Sequence, residues 1–271
     1  MLARRNNINI RGQGSETIIF IHGYGCDQNM WRFVKPPFEE RYKVVLIDLV
    51  GSGGSDESAY CYEKYSKLEG YVADIVEICE TFKFEYITLV GHSVSAIIAG
   101  LATIQRPDLF KKLVMVSPSP RYVNELESGY IGGFEQSDIE DMLCTLKGNY
   151  LGWSSAIAPT IIGTPNPPEF STELANSFCR NNPDIAAHFA ALTFTGDNRA
   201  DLKHIKVPTL IIQCSQDLIA PMEVGIYVHD QIKGSILKVL DTSGHCPHLT
   251  APEATIAALS DFLSIDVTVA R

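Results

Sequence analysis

The chain has 271 residues, 45% hydrophobic and 20% charged, the balance of a globular protein with a filled core and length for one large domain or two small ones. A formal net charge of −10 sets its surface against nucleic-acid phosphates and anionic membranes, and favours a neutral or cationic small molecule or a protein partner. The opening MLARRNNINIRGQ has no apolar run behind its arginines, no stretch has the length of a bilayer span, and the seven cysteines lack C-x-x-C pairs or metal-ligand spacing, so reduced thiols in a cytoplasmic protein are expected.

In chain order, short β-branched runs alternate with helical patterns. Thr17–Ile21 reads as a buried strand ending at His22-Gly23, and Lys43–Asp48 as a second, closed by Gly51-Ser52-Gly53-Gly54. That glycine-rich turn lacks the lysine of a phosphate loop and reads as a tight connection. Leu68, Val72, Ile75, Cys79 and Phe82 recur at helical spacing and predict a helix with one apolar face. Tyr86–Val90 runs into Gly91, and Leu113–Val116 ends at Ser117-Pro118. From about Asn124 to Asp201 there are helical patterns but no strand, with the aromatics Tyr130, Phe134, Trp153, Phe170, Phe178, Phe189 and Phe194 and a Thr164-Pro165-Asn166-Pro167-Pro168 break. Strands resume at Thr209–Ile212 and Ile236–Leu240. Continuous rather than alternating apolar runs predict strands buried on both faces, hence an α/β fold with a mostly parallel, doubly wound sheet. Residues 1–123 and 202–271 form its core, and 124–201 a helical lid over the carboxyl edge, where such sheets place ligands. Cys79 and Cys214 sit among apolar residues and are expected to be inert core fillers.

The chemistry is concentrated in three loops. Gly91-His92-Ser93-Val94-Ser95 follows a strand and opens a helix, the pattern G-x-S-x-G of a nucleophile elbow, with serine in place of the last glycine. Ser93 needs a base, and Gly244-His245 on the loop after the last strand supplies His245; His248, near the next helix, is the rival. The acid that orients the imidazole is expected after the preceding strand, where Asp217 lies; Asp241 competes but ends its own strand. The N–H groups of Val94 and Tyr24 are the expected oxyanion donors, and His22 reads as an anchor of the Tyr24 loop. No residue pattern calls for a metal or another cofactor.

With those residues laid out, the chain resembles one branch of the α/β-hydrolases, which holds the bacterial sigma-B stress regulator RsbQ and the plant karrikin and strigolactone receptor hydrolases. The resemblance rests on His22–Gln28, Tyr65–Tyr71, Gly91–Ala96, Ser117–Tyr122, Gly132–Glu135 and Gly244–His248. It implies the α/β-hydrolase fold with a lid of four helices inserted after the sixth strand. It also implies a mostly apolar pocket lined by Tyr24, Phe134, Met142, Trp153, Ile157, Phe194 and Ile219, with Ile157 replacing an aromatic of some plant members. Two functions are expected from it. One is a serine esterase or lactonase acting on a small hydrophobic ester or lactone. The other is a ligand-sensing signalling protein with slow hydrolysis, read by a protein partner that docks on the lid. A cofactor-independent haloperoxidase or carbon–carbon bond hydrolase is a third reading, since both reuse the same triad.

Overall fold

Buried β-branched runs make the sheet. In the computed structural model, which describes residues 1–265, the strands are β1 (Asn9–Arg11), β2 (Thr17–Ile21), β3 (Lys43–Ile47), β4 (Ile87–His92), β5 (Phe110–Val116), β6 (Thr209–Gln216) and β7 (Ile236–Ser243). They form one sheet in the order β1-β3-β2-β4-β5-β6-β7, antiparallel only between β1 and β3. β2 and β4 are buried throughout, as their unbroken apolar runs require. β7 departs from that expectation: among the described residues it pairs only with β6, and Ile236 and Val239 lie exposed on this edge strand. β1 has the short, half-polar sequence Asn-Ile-Arg, which carries no strand signal of its own; it exists because β3 offers an edge to pair with.

Helices cover both faces. α1 (Leu2–Arg5) precedes the sheet, α2 (Glu69–Phe82) and α3 (Val94–Gln105) link its central strands, and α4 (Gln136–Gly148), α5 (Tyr150–Ile162), α6 (Pro168–Cys179) and α7 (Pro183–Thr195) form the insertion. α8 (Met222–Gln231), α9 (Pro247–Thr250) and α10 (Pro252–Ser264) complete the chain. The insertion leaves the sheet after the fifth of the described strands, not the sixth that the resemblance implies. Cys79 and Cys214 are buried. Among the described residues no helix is long and apolar enough to cross a membrane.

The glycine-rich turn after β3 wraps a carboxylate of its own. Asp48 Oδ1 accepts from the Gln28 N–H at 2.8 Å, and Oδ2 accepts from the Gly54 N–H and from Asn7 Nδ2, each at 2.8 Å. A phosphate would meet that negative charge head-on.

Four charged side chains tie the two stems of the insertion together. Arg199, on the returning stem, holds Glu125 at 3.0 Å and Asp197 at 2.7 Å, and Arg121, on the outgoing stem, reaches Asp197 at 2.7 Å. Arg199 also lies over the Tyr130 ring, 4.7 Å from its centroid. Hydrogen bonds from Arg199 and then Ser128 bring the Glu125 carboxyl down to about 2. Burial pushes Asp197 up, but the hydrogen bonds from Arg199 and Arg121 outweigh it and leave it at about 2. Carboxyls lowered on folding stabilise the stems fully above the ordinary values of 4.5 and 3.8, and that support is lost as pH falls through about 2. Glu125→Gln is therefore expected to lower the thermal midpoint by about 2 °C at neutral pH. The gap from wild type should narrow steadily below pH 4.5; a gap unchanged down to pH 3 would refute the ionic account of the stems.

Candidate active site

The strand-to-helix turn at Ser93 is tight because Gly91 lets it be so. A Cβ on Gly91 would stand 2.2 Å from the Ser95 carbonyl oxygen, so the small residue the turn requires is at 91, and position 95 tolerates serine. The Ser95 hydroxyl has its own task, donating to the His22 carbonyl and so tying the turn to the Tyr24 loop. Ser93 itself is held at φ 57°, ψ −125°, a conformation that costs a non-glycine residue on the order of 1–3 kcal/mol. Its N–H donates to the Val116 carbonyl of β5 at 2.9 Å, which fixes the strained residue against the neighbouring strand.

The ring of His245 bridges Ser93 and Asp217. Its Nδ1 is 2.7 Å from Asp217 Oδ2 and its Nε2 is 2.9 Å from Ser93 Oγ. A carboxylate can only accept, so Nδ1 carries the proton and Nε2 keeps the lone pair that faces the serine hydroxyl. Asp217 Oδ1 accepts from the N–H groups of Ile219 (2.8 Å) and Ala220 (3.0 Å), so the carboxylate is anchored while its other oxygen orients the imidazole. Asp241, the alternative acid, lies apart from this array, within 3.3 Å of Ser215 Oγ. His248 packs on the ring of Trp31 at 4.5 Å and has no hydrogen-bond contact with Ser93.

Val94 is the first residue of α3, so its N–H has no acceptor within the helix. The Tyr24 loop passes directly over the turn: a Cβ on Gly23 would lie 2.6 Å from His92 Nδ1 and 3.2 Å from Ser93 Cβ. Only glycine permits that approach, which brings the 23–24 backbone to Ser93. His22 anchors the loop, with Nδ1 donating to the Gly23 carbonyl at 2.8 Å and Nε2 accepting from the Leu49 N–H at 3.0 Å. The Tyr24 hydroxyl donates to the Ala186 carbonyl of α7, and its ring lies within 6.2 Å of those of Trp153, Phe178, Phe189 and Phe194.

Phe134, Met142, Trp153, Ile157, Phe194 and Ile219 line one cavity with Tyr24, Ser93 and His245. That cavity has a volume of only about 60 Å³, and Ser93 is 6% exposed. A larger open groove of about 670 Å³ lies at the opposite end of the strands, beside Tyr86, Lys111 and Lys206, and is lined by no serine, cysteine or histidine.

Two kinds of contact escape sequence reasoning. Tyr122, at the end of the Ser117–Tyr122 stretch, places its hydroxyl 3.3 Å from Ser93 Oγ, with burial pushing its pKa up to about 12. Its position just past the carboxyl end of β5 is the one signal that could have found it. His245 is also held by the insertion: its N–H donates to the Ile161 carbonyl of α5 at 2.7 Å. Burial, with His248 and His245 close by, pushes His92 well below the ordinary imidazole range, and burial first of all lowers His248 to about 3, so both rings are neutral at physiological pH. The thiols of Cys26 and Cys246, which share the cavity wall, are pushed up by burial.

The family described as alpha/beta hydrolase fold matches residues 16–252. The karrikin insensitive 2 receptor CA of Petunia hybrida is 39% identical over 265 residues, covering 97% of each chain. Strigolactone esterase RMS3 of Pisum sativum is 38% identical over 250 residues, covering 91% of this chain and 92% of its own. A solved hydrolase from Oleispira antarctica matches with a TM-score of 0.95 at 40% identity, covering 98% of this chain and 97% of that one. The sheet order, the helical insertion and these full-length similarities agree, and the chain belongs to the α/β hydrolase fold family.

Proposed function

We propose that the protein is a serine hydrolase that cleaves the ester or lactone of a small hydrophobic molecule. The observation that carries this reading is the continuous array Ser93 Oγ, His245 Nε2, His245 Nδ1, Asp217 Oδ2, at 2.9 and 2.7 Å. In this mechanism Nε2 takes the Ser93 proton as Oγ attacks the carbonyl carbon, and Asp217 stabilises the imidazolium that results. The N–H groups of Val94 and Tyr24 receive the oxyanion, a contribution of roughly a hundred- to a thousandfold in rate for each such donor. The imidazolium then protonates the leaving oxygen, leaving an acyl group on Ser93, and His245 next activates the water that releases it. Tyr122 supports the same step as a neutral donor beside Oγ.

An apolar wall with polar atoms only at the reacting centre suits an uncharged acyl group. The cavity of about 60 Å³ favours a short one, well below the ~300–1,000 Å³ of sites that enclose drug-sized ligands.

A second reading, ligand sensing with slow turnover, draws support from the same closure and from relatives named as receptors. With Ser93 only 6% exposed, a larger ligand enters only when the lid moves, and a protein partner could read that movement.

Ser93→Ala is expected to reduce p-nitrophenyl acetate hydrolysis by at least ~10³-fold while leaving circular dichroism and thermal unfolding unchanged. An undiminished rate would overturn the mechanism. With enzyme and ester at comparable concentrations, sustained multiple turnovers identify the working esterase, and a burst that stops near one equivalent identifies the sensor. Ile157→Ala, which removes bulk from the cavity wall, is expected to raise the butyrate-to-acetate ratio of kcat/KM by about tenfold, the discrimination typical of one or two methylenes in an apolar site. An unaltered ratio would mean that acyl groups bind elsewhere.

A further inference from the structure

Beside His245 the fold buries three metal-ligating side chains that hydrolysis does not use. The Cys246 sulfur and a ring nitrogen from each of His92 and His248 all lie within 4.8 Å of one another. Cys246 and His248 are fully buried and His92 is 2% exposed. The His92 tautomer is set by its surroundings: Nε2 lies 2.9 Å from the His245 carbonyl, which can only accept, so Nε2 carries the proton and Nδ1 keeps its lone pair. Among the described residues, no hydrogen-bond partner reaches that Nδ1 or either ring nitrogen of His248. Buried ring nitrogens are ordinarily satisfied, so two such rings beside a thiol ask for an occupant. The second ring nitrogen of His92, held by a backbone carbonyl, is the outer support that a ligating imidazole commonly has.

We propose that His92, Cys246 and His248 form a binding site for a soft monovalent d¹⁰ cation, of which cuprous ion is the biological example. The donors select the class: thiolate and imidazole suit Cu(I) and Zn(II), and the absence of a carboxylate among the three disfavours hard ions. The charge then selects within it. One thiolate neutralises one monovalent cation, whereas a divalent ion would leave a net positive charge in a buried site. Binding replaces a proton with the metal: the Cys246 S–H gives up its proton to solvent, a sulfur–metal bond forms, and no oxidation state changes. His92 and Cys246 line the cavity at Ser93, which gives the ion its way in. Seating it draws donors that now lie within 4.8 Å of one another towards about 3.5 Å, the separation set by metal–ligand bonds of about 2.0–2.3 Å. His92 and Cys246 flank Ser93 and His245 in the chain, so the bound ion pulls nucleophile and base out of register and inhibits hydrolysis. That consequence, unlike the binding itself, rests on the catalytic roles proposed above.

The test uses the full chain with the exposed Cys61, Cys144 and Cys179 changed to serine, so that surface thiols do not compete. Anaerobic titration with Cu(I) against a chromophoric Cu(I) chelator is expected to show one ion retained per chain. Cys246→Ser should weaken that retention at least a hundredfold and His248→Asn at least tenfold, while Cys26→Ser, in the same cavity wall but outside the cluster, leaves it intact. Cys246→Ser removes only the thiolate, and unfolding curves check that both variants fold; if His248→Asn does not, the serine variant decides alone. No ion withheld from the chelator, or equal retention by Cys246→Ser, overturns the site. Retention that is lost in Cys246→Ser but leaves p-nitrophenyl acetate hydrolysis of the parent untouched keeps the site and overturns the inhibition.

Discussion

His245 is gripped by three distant parts of the chain at once, and the geometry of the site depends on that grip. Its N–H donates to Ile161 of the insertion, its carbonyl accepts from His92 at the turn, and its ring spans Asp217 and Ser93. The imidazole is thus positioned by the lid, the elbow and the end of β6 together. Hydrogen bonds of this kind each contribute only about 1–3 kcal/mol net, the carboxylate one the most, but they act on one residue whose displacement by an ångström separates its ring from Ser93.

The strain at Ser93 shows how such a turn persists. A residue held at φ 57° survives only where its surroundings over-determine it. Here the Ser93 N–H is fixed to β5 and the Ser95 hydroxyl to the Tyr24 loop. The departure from the elbow pattern at position 95 is therefore a gain in connection rather than a weakened motif, because steric demand falls on Gly91.

Charge and apolar surface are kept apart. The acidic excess lies outside, and the ion pairs that cross between lid stems are partly exposed, where each contributes little alone but several share the same two carboxylates. The cavity wall is aromatic and aliphatic, so Tyr24 becomes the hinge of an aromatic cluster reaching α5, α6 and α7. That packing closes the space over Ser93, and it links access to the site with the arrangement of the whole insertion.

The sequence by itself determined the sheet, the helical insertion and the order in which serine, aspartate and histidine follow their strands. Those signals are local: an unbroken apolar run, then a loop of small or polar residues, is readable within ten positions. Tertiary structure decided what depends on segments far apart in the chain. β1 forms because β3 offers an edge, β7 is exposed because no strand among the described residues pairs beyond it, and the insertion leaves after the fifth of the described strands. Tyr122 reaches Ser93 across 29 positions, and His92 and Cys246 meet across more than 150, so no spacing rule could announce either contact. The small volume of the cavity belongs to the same class, since it is set by how side chains from four lid helices interlock over one turn of the core.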